Sequence, residues 1–164
     1  SFGHFIAEST GRDTVSATFS VKSLTINSAG SEKDLIERAF AYMKGMGKSL
    51  VAHNGKEFDF PYLCKRGVIN ELELPPLLDI AGKKPWEITH KDTLEMWRFG
   101  DMKAYVSLES LCLALGVDSP KENLSGGMVS QYYHSGGDIN KIADYCDGDV
   151  VALSECFKKI VGIY

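Results

Sequence analysis

Asp59, Tyr145 and Asp149 are the residues whose types and spacing could do chemistry. Asp59 lies in Leu50 to Leu63, LVAHNGKEFDFPYL, between Phe58 and Phe60. A carboxylate flanked by two large apolar rings is costly to bury unless something cationic meets it. The stretch reads as a buried strand, a tight turn at His53, Asn54 and Gly55, and a helix beginning near Pro61, where a missing N–H costs nothing. That places an acid at the mouth of a strand, where α/β domains put their chemistry. The plainer alternative is that Asp59 only caps the helix. Asp149 falls inside the apolar stripe of the last helix, four residues after Tyr145 and four before Leu153. Residues at that spacing share a face, so Asp149 points toward the core side while Asp144 and Asp147 lie further round. Gly148 weakens that helix by about 1 kcal/mol relative to alanine, which close approach of something bulky would explain. The alternative here is a carboxylate bonded to neighbouring backbone.

Two inward-pointing acids repel each other unless a cation sits between them. No His/Cys ligand cluster accompanies them, so a hard divalent ion with oxygen ligands fits best. Two-metal phosphoryl chemistry holds its ions ~3.5–4 Å apart and stabilises both the attacking and the leaving oxygen. Tyr145, one turn from Asp149, is placed to hold an attacking water through its hydroxyl.

The elements that must position these residues read as an α/β chain. Phe2 to Ser9 is strand-like, and Thr14 to Leu24 alternates Val15, Ala17, Phe19 and Val21 against polar neighbours. Gly11, Arg12 and Asp13 between them read as a hairpin turn. Ser31 to Met46 is a helix with Ser31 as N-cap, Asp34 in capping-box fashion and Leu35, Ile36, Ala39, Phe40 and Met43 on one face. After the central strand and its helix comes a connection from Asn70 to Pro85. Its neighbour AGKKPWE carries Lys83 and Lys84, which either meet phosphate or are simply solvated. Asp92, in KDTLEM, caps a helix or stands near the site. Ser107 to Leu115 is a helix stopped by Gly116. Ser119 to Gly137 is a long connection around a short segment holding Tyr132 and Tyr133, and Asp138 caps a last helix running to about Val161.

The 164 residues suit one domain with a sizeable core. No apolar run reaches membrane-spanning length and there is no signal peptide, so no membrane partner is expected. Cys64, Cys112, Cys146 and Cys156 form no CxxC pair and suit small core residues in a reducing, cytoplasmic setting. The net charge of −4 supplies no global positive field for nucleic acid. That argues mildly against binding by charge alone, and less against an enzyme whose metal ions meet the phosphate.

With these residues in view, NGKEFDFPYL resembles the second motif of the DEDD superfamily of 3′–5′ exonucleases. YCDGD, Tyr145 to Asp149, resembles its third motif in the tyrosine-bearing form. The run from AHNGKEFDFPYL through AGKKPWE, HKDTLEMWRFGD and YCDGDVVAL is similar to the predicted 3′–5′ exonucleases related to the proofreading domain of family-B DNA polymerases. The resemblance spans nearly the whole chain, with several blocks in order. It implies a ribonuclease-H-like mixed sheet flanked by helices. It also implies two-metal hydrolysis of a nucleic-acid 3′ end with Mg2+ or Mn2+, releasing nucleoside monophosphates. Asp59 and Asp149 would be metal ligands, Tyr145 would orient the water, and Asn54 and Phe58 would line the substrate groove. DNA is favoured over RNA as the partner, although no residue separates the two.

The sequence departs from that family at its first motif, a strand carrying Asp-x-Glu that supplies the remaining carboxylates. No such pair precedes Asp59. Glu8, in FIAEST, has Ile6 where the aspartate belongs. The fold needs three strands before its first helix and this chain offers two, so the expectation is a single N-terminally shortened domain lacking the first strand. The chain is then expected to bind metal poorly, to be inactive or impaired, and to have a rearranged sheet or to self-associate through an exposed edge. The competing expectation is a non-catalytic module of the same fold that binds a nucleic-acid end or a protein. A dinucleotide-binding domain is disfavoured, because no GxGxxG follows any strand.

Overall fold

The computed structural model describes residues 2–11, 14–45, 49–119, 124 and 126–163. Strand β1 (Phe2–Gly11) pairs antiparallel with β2 (Thr14–Lys22), with Phe5 opposite Phe19 and a register shift between Ser9 and Gly11. β1 runs two residues past the expected strand, and β2 stops two residues short of the expected Leu24. Its turn residues Arg12 and Asp13 lie outside the described residues. Glu8 pairs with Ser16 along the backbone, and the side chains of residues 2–18 are likewise outside the description.

A short helix follows that periodicity could not show. It is α1 (Ile26–Ala29), a single turn closed by a reciprocal cap between Thr25 and Ser28. Helix α2 (Glu32–Gly45) then forms as its apolar spacing requires. The Ser31 hydroxyl accepts from the Asp34 amide at 3.1 Å, and Ile36, Ala39, Phe40 and Met43 are buried. Met46 lies outside the described residues.

The central strand is shorter and more open than the apolar run suggests. β3 is only Val51–Ala52, with Ala52 buried and Val51 exposed. It pairs in parallel with β4 (Lys91–Asp92), and the Lys91 amide donates to the Leu50 carbonyl at 2.8 Å. The chain is mixed α/β, but among the described residues the antiparallel hairpin and the parallel pair are separate two-stranded sheets. Between β3 and β4 run α3 (Asp59–Ile69) and a 3-10 turn at Pro85–Glu87. Helices α4 (Thr93–Arg98), α5 (Leu108–Leu115), α6 (Gly126–His134) and α7 (Ile139–Val161) complete the chain. Ser107 caps α5, Gly116 ends it in the left-handed region at φ 62°, and Asp138 caps α7, as expected.

Among the described residues, two apolar clusters hold these elements. The first joins Ile36, Phe40 and Met43 of α2 to Ala52, Phe60 and Leu78. The second joins Leu111 and Cys112 of α5 to Ala152 and Cys156 of α7, with Trp97 of α4 packed against it. The four cysteines are free thiols. Helix α7 also lies on the β1–β2 hairpin, where the Ser23 hydroxyl donates to Asp147. Asp147, two residues before Asp149, is thereby tied to the residue that follows β2.

Candidate active site

The Asp59 half is built by the turn after β3. Asn54 adopts φ 60°, a left-handed conformation that asparagine tolerates better than most residues. A Cβ on Gly55 would run into the Ala52 Cβ and lie 3.2 Å from the Phe60 ring and 3.5 Å from the Asp59 carboxylate. Only glycine lets the backbone pass this close. Phe58, not Asp59, is the N-cap of α3, and it makes no side-chain cap bond. The capping alternative for Asp59 is therefore excluded, and Asp59 is the first helical residue. It is exposed overall, yet neighbouring protein strips enough water from its carboxyl to raise its pKa. The negative charge of Asp92 adds to that rise, while its own amide opposes it.

Asp92 is the residue whose role the sequence left open. It is 2% exposed, and its carboxylate accepts from the amides of Asn54 at 2.8 Å, Lys56 at 3.2 Å and Leu94 at 3.0 Å. It caps α4 and clamps the 54–56 turn at once. His53 makes the second tie. Its Nε2 lies 2.8 Å from the Val106 carbonyl and its Nδ1 2.9 Å from the Thr93 hydroxyl. Since the carbonyl can only accept, Nε2 carries the donating proton. Neither tie has a periodic signature. An Asp directly before a helix signals only the cap.

Phe58 is 66% exposed and stacks on Tyr62, 56% exposed, with ring centroids 6.3 Å apart. Phe58 thus stands on open surface beside Asp59. Asn54 is half-buried, and its backbone is committed to Asp92 and to the amide of Phe58.

The Asp149 half sits on α7. Burial raises the Asp149 pKa, opposed by a hydrogen bond from the Tyr145 hydroxyl. Tyr145 is pushed up to about 12, first by burial and then by the charge and hydrogen bond of Asp149, while the Gly126 amide at the start of α6 pulls the other way. So Tyr145 is a neutral phenol at neutral pH, donating to Asp149, accepting from the Gly126 amide and keeping one lone pair for another donor. The charge of Asp149 also reaches Cys112 on α5. An apolar cavity of about 310 Å³, lined by Leu24, Ile26, Leu35, Ile142 and Cys146 among others, takes in neither carboxylate.

The two halves are linked through α4, which starts at Asp92 and packs on α7. The charge that presses on Asp59 is that of Asp92, and the group bonded to Asp149 is Tyr145. The donor chemistry suits a hard divalent ion, because both carboxyls are held in surroundings that penalise their charge and a cation would relieve both. The number of donors falls short. Among the described residues no group of three or more His, Cys, Asp or Glu side chains could hold a metal ion.

The chain is mixed α/β, with one acid at a strand-to-helix turn and a Tyr–Asp pair on its last helix. A family model described as a predicted 3′–5′ exonuclease related to the exonuclease domain of PolB matches residues 1–159, and the chain belongs to that family. With it comes the ribonuclease-H-like fold class. No curated protein matches the chain. No helix among the described residues is long and apolar enough to cross a membrane.

Proposed function

We propose that the chain is a 3′–5′ exonuclease domain acting on nucleic-acid 3′ ends, with Asp59 and Asp149 as its carboxylates toward Mg2+ or Mn2+. The observation that carries this is the pairing of Tyr145 with Asp149 on the buried side of α7, in a chain of this family. A bound divalent ion would polarise the scissile phosphodiester and lower the pKa of a water. Tyr145 stays protonated, donates to Asp149, and accepts from the attacking water with its free lone pair. Asp92 and His53 touch no substrate; they hold the turn that carries Asp59. Phe58 gives the terminal base a face to stack on. DNA is the preferred polymer in this reading.

With only Asp59 and Asp149 as carboxylates in this reading, the ions are short of ligands, and hydrolysis by these residues alone is impaired and slow. The same shortfall favours a second reading, a non-catalytic module that holds a nucleic-acid end. Incubation with 5′-labelled single-stranded DNA and manganese tests both. The first reading expects slow stepwise loss of 3′ nucleotides that disappears in Asp149→Asn. Fast degradation would overturn the impairment, and slow degradation untouched by Asp149→Asn would overturn the site. Binding without any cleavage selects the second reading.

A further inference from the structure

Trp86 is 76% exposed, an unusual position for the largest apolar side chain. Yet it does not sit on a loose tip. The segment is fastened by the Lys84 amide donating to Glu87 Oε2 at 2.7 Å, by the Glu87 amide donating to the Lys84 carbonyl at 2.9 Å, and by the Lys83 amide donating to the Ile80 carbonyl at 3.1 Å. The indole is therefore presented on a short, hydrogen-bonded 3-10 turn. The Lys84 ammonium lies 5.2 Å from the centre of its ring. Neither Lys83 nor Lys84 forms an ion pair among the described residues; the pairs there are Lys56–Glu95, Arg66–Glu32 and Lys158–Glu155. An ammonium over an exposed indole, with a second lysine next to it in sequence and neither in an ion pair among the described residues, stands out in a chain of net charge −4 even with the Glu87 carboxylate in the same turn.

The location matters as much as the composition. His90 feels the positive charge of both Lys56 and Lys83, and its ring meets Phe60 edge-on with centroids 5.0 Å apart. Lys56 belongs to the turn that Asp92 clamps, and Phe60 follows Asp59. The turn bearing Trp86 thus borders the Asp59 half of the molecule, where Phe58 and Tyr62 already offer stacked, open rings. An indole face plus adjacent free ammonium groups matches a single-stranded nucleic acid, whose bases stack on aromatic rings whatever their identity and whose phosphates take the cations. We infer that Lys83, Lys84 and Trp86 form a second contact for single-stranded nucleic acid, gripping the strand away from its 3′ terminus. The inference rests on the nucleic-acid reading above and adds to it where the body of the strand is held.

The test uses the full chain, a 20-nucleotide oligothymidylate and excess EDTA at low salt, so that binding is read without cleavage. Binding is expected to quench tryptophan emission, and Trp86→Ala is expected to remove the quench and weaken affinity by about fivefold or more. Trp97, packed against the α5–α7 cluster, supplies the emission that remains. Lys83→Ala and Lys84→Ala should each lower the slope of log affinity against log salt by about 0.7. Wild-type affinity in all three variants, with the quench unchanged, overturns the second contact. It leaves the exonuclease reading standing if 3′ trimming still depends on Asp149. A wild-type chain that neither binds the oligomer nor trims it overturns the exonuclease reading, and the second contact falls with it. Binding of a protein by this turn with no affinity for the oligomer likewise overturns it.

Discussion

Asp59 and Asp149 are both carboxyls that folding makes harder to ionise, and this gives their roles a thermodynamic signature. Each has a pKa raised above 3.8, with burial as the leading cause. For a raised acid the stabilising contribution is complete below the unfolded pKa and is lost as pH rises through the folded one. In metal-free buffer at neutral pH both residues therefore cost stability, and Asp59→Asn and Asp149→Asn should raise the melting temperature while weakening any ion binding. A purely structural carboxylate would show the reverse. Asp92 is such a residue: Asp92→Ala leaves three backbone amides without their acceptor and should cost about 1–3 kcal/mol in urea unfolding. His90 titrates in the opposite sense to the raised acids. Burial lowers its pKa from 6.5, and it is held between the Leu50 amide and the Leu77 carbonyl, near Lys56, Lys83 and Phe60. A neutral buried histidine contributes stability that is present above the unfolded value and lost as pH falls below about 6.5. Stability measured against pH should bend downward there, and His90→Gln should flatten the bend.

At the scale of elements, long periodic segments were legible and short ones were not. α2, α5 and α7 follow from apolar spacing and from the caps Ser31, Ser107 and Asp138, because those signals are local. β3 and β4 are two residues each, too short for any period, and exist because the Lys91 amide reaches the Leu50 carbonyl across the fold. The same distance in sequence hid the Asp92 clamp and the His53 bridge, whose partners lie 36–53 residues away. Asp59, Asp149 and Tyr145 were legible as candidates because their neighbours are apolar. The position of Asp59 as the first helical residue, and not the cap, needed the fold. Packing predicts the weak points. Leu111 is fully buried between α5 and α7, so Leu111→Ala should cost about 2–5 kcal/mol. Gly55→Ala must displace Ala52 and press on the Phe60 ring, and should disturb the turn even where the chain stays folded. Amide chemical shifts of residues 53–60 would report it.

For the whole molecule, the separation of the antiparallel hairpin from the parallel pair is the feature with most consequence. Each two-stranded sheet leaves unpaired strand edges among the described residues, and such edges recruit other strands. Light scattering across a concentration series should show mass rising above that of the 18.0 kDa chain; a constant monomer mass would show that the edges are covered. Among the described residues the apolar clusters are likewise two, one holding Phe60 next to Asp59 and one holding Ala152 and Cys156 on the helix of Asp149, so a site shared by both acids would depend on α4 and α7 keeping the halves in register.

That dependence exposes the central claim, that Asp59 and Asp149 serve one hard-ion site, to direct measurement. Manganese is paramagnetic and broadens the amide signals near it even when it binds weakly. Titrated into the labelled chain, it should broaden residues 54–60 and 145–150 at the same concentrations, and Asp149→Asn should relieve both. Broadening confined to one of the two segments, or persisting at 54–60 in Asp149→Asn, would contradict a shared site.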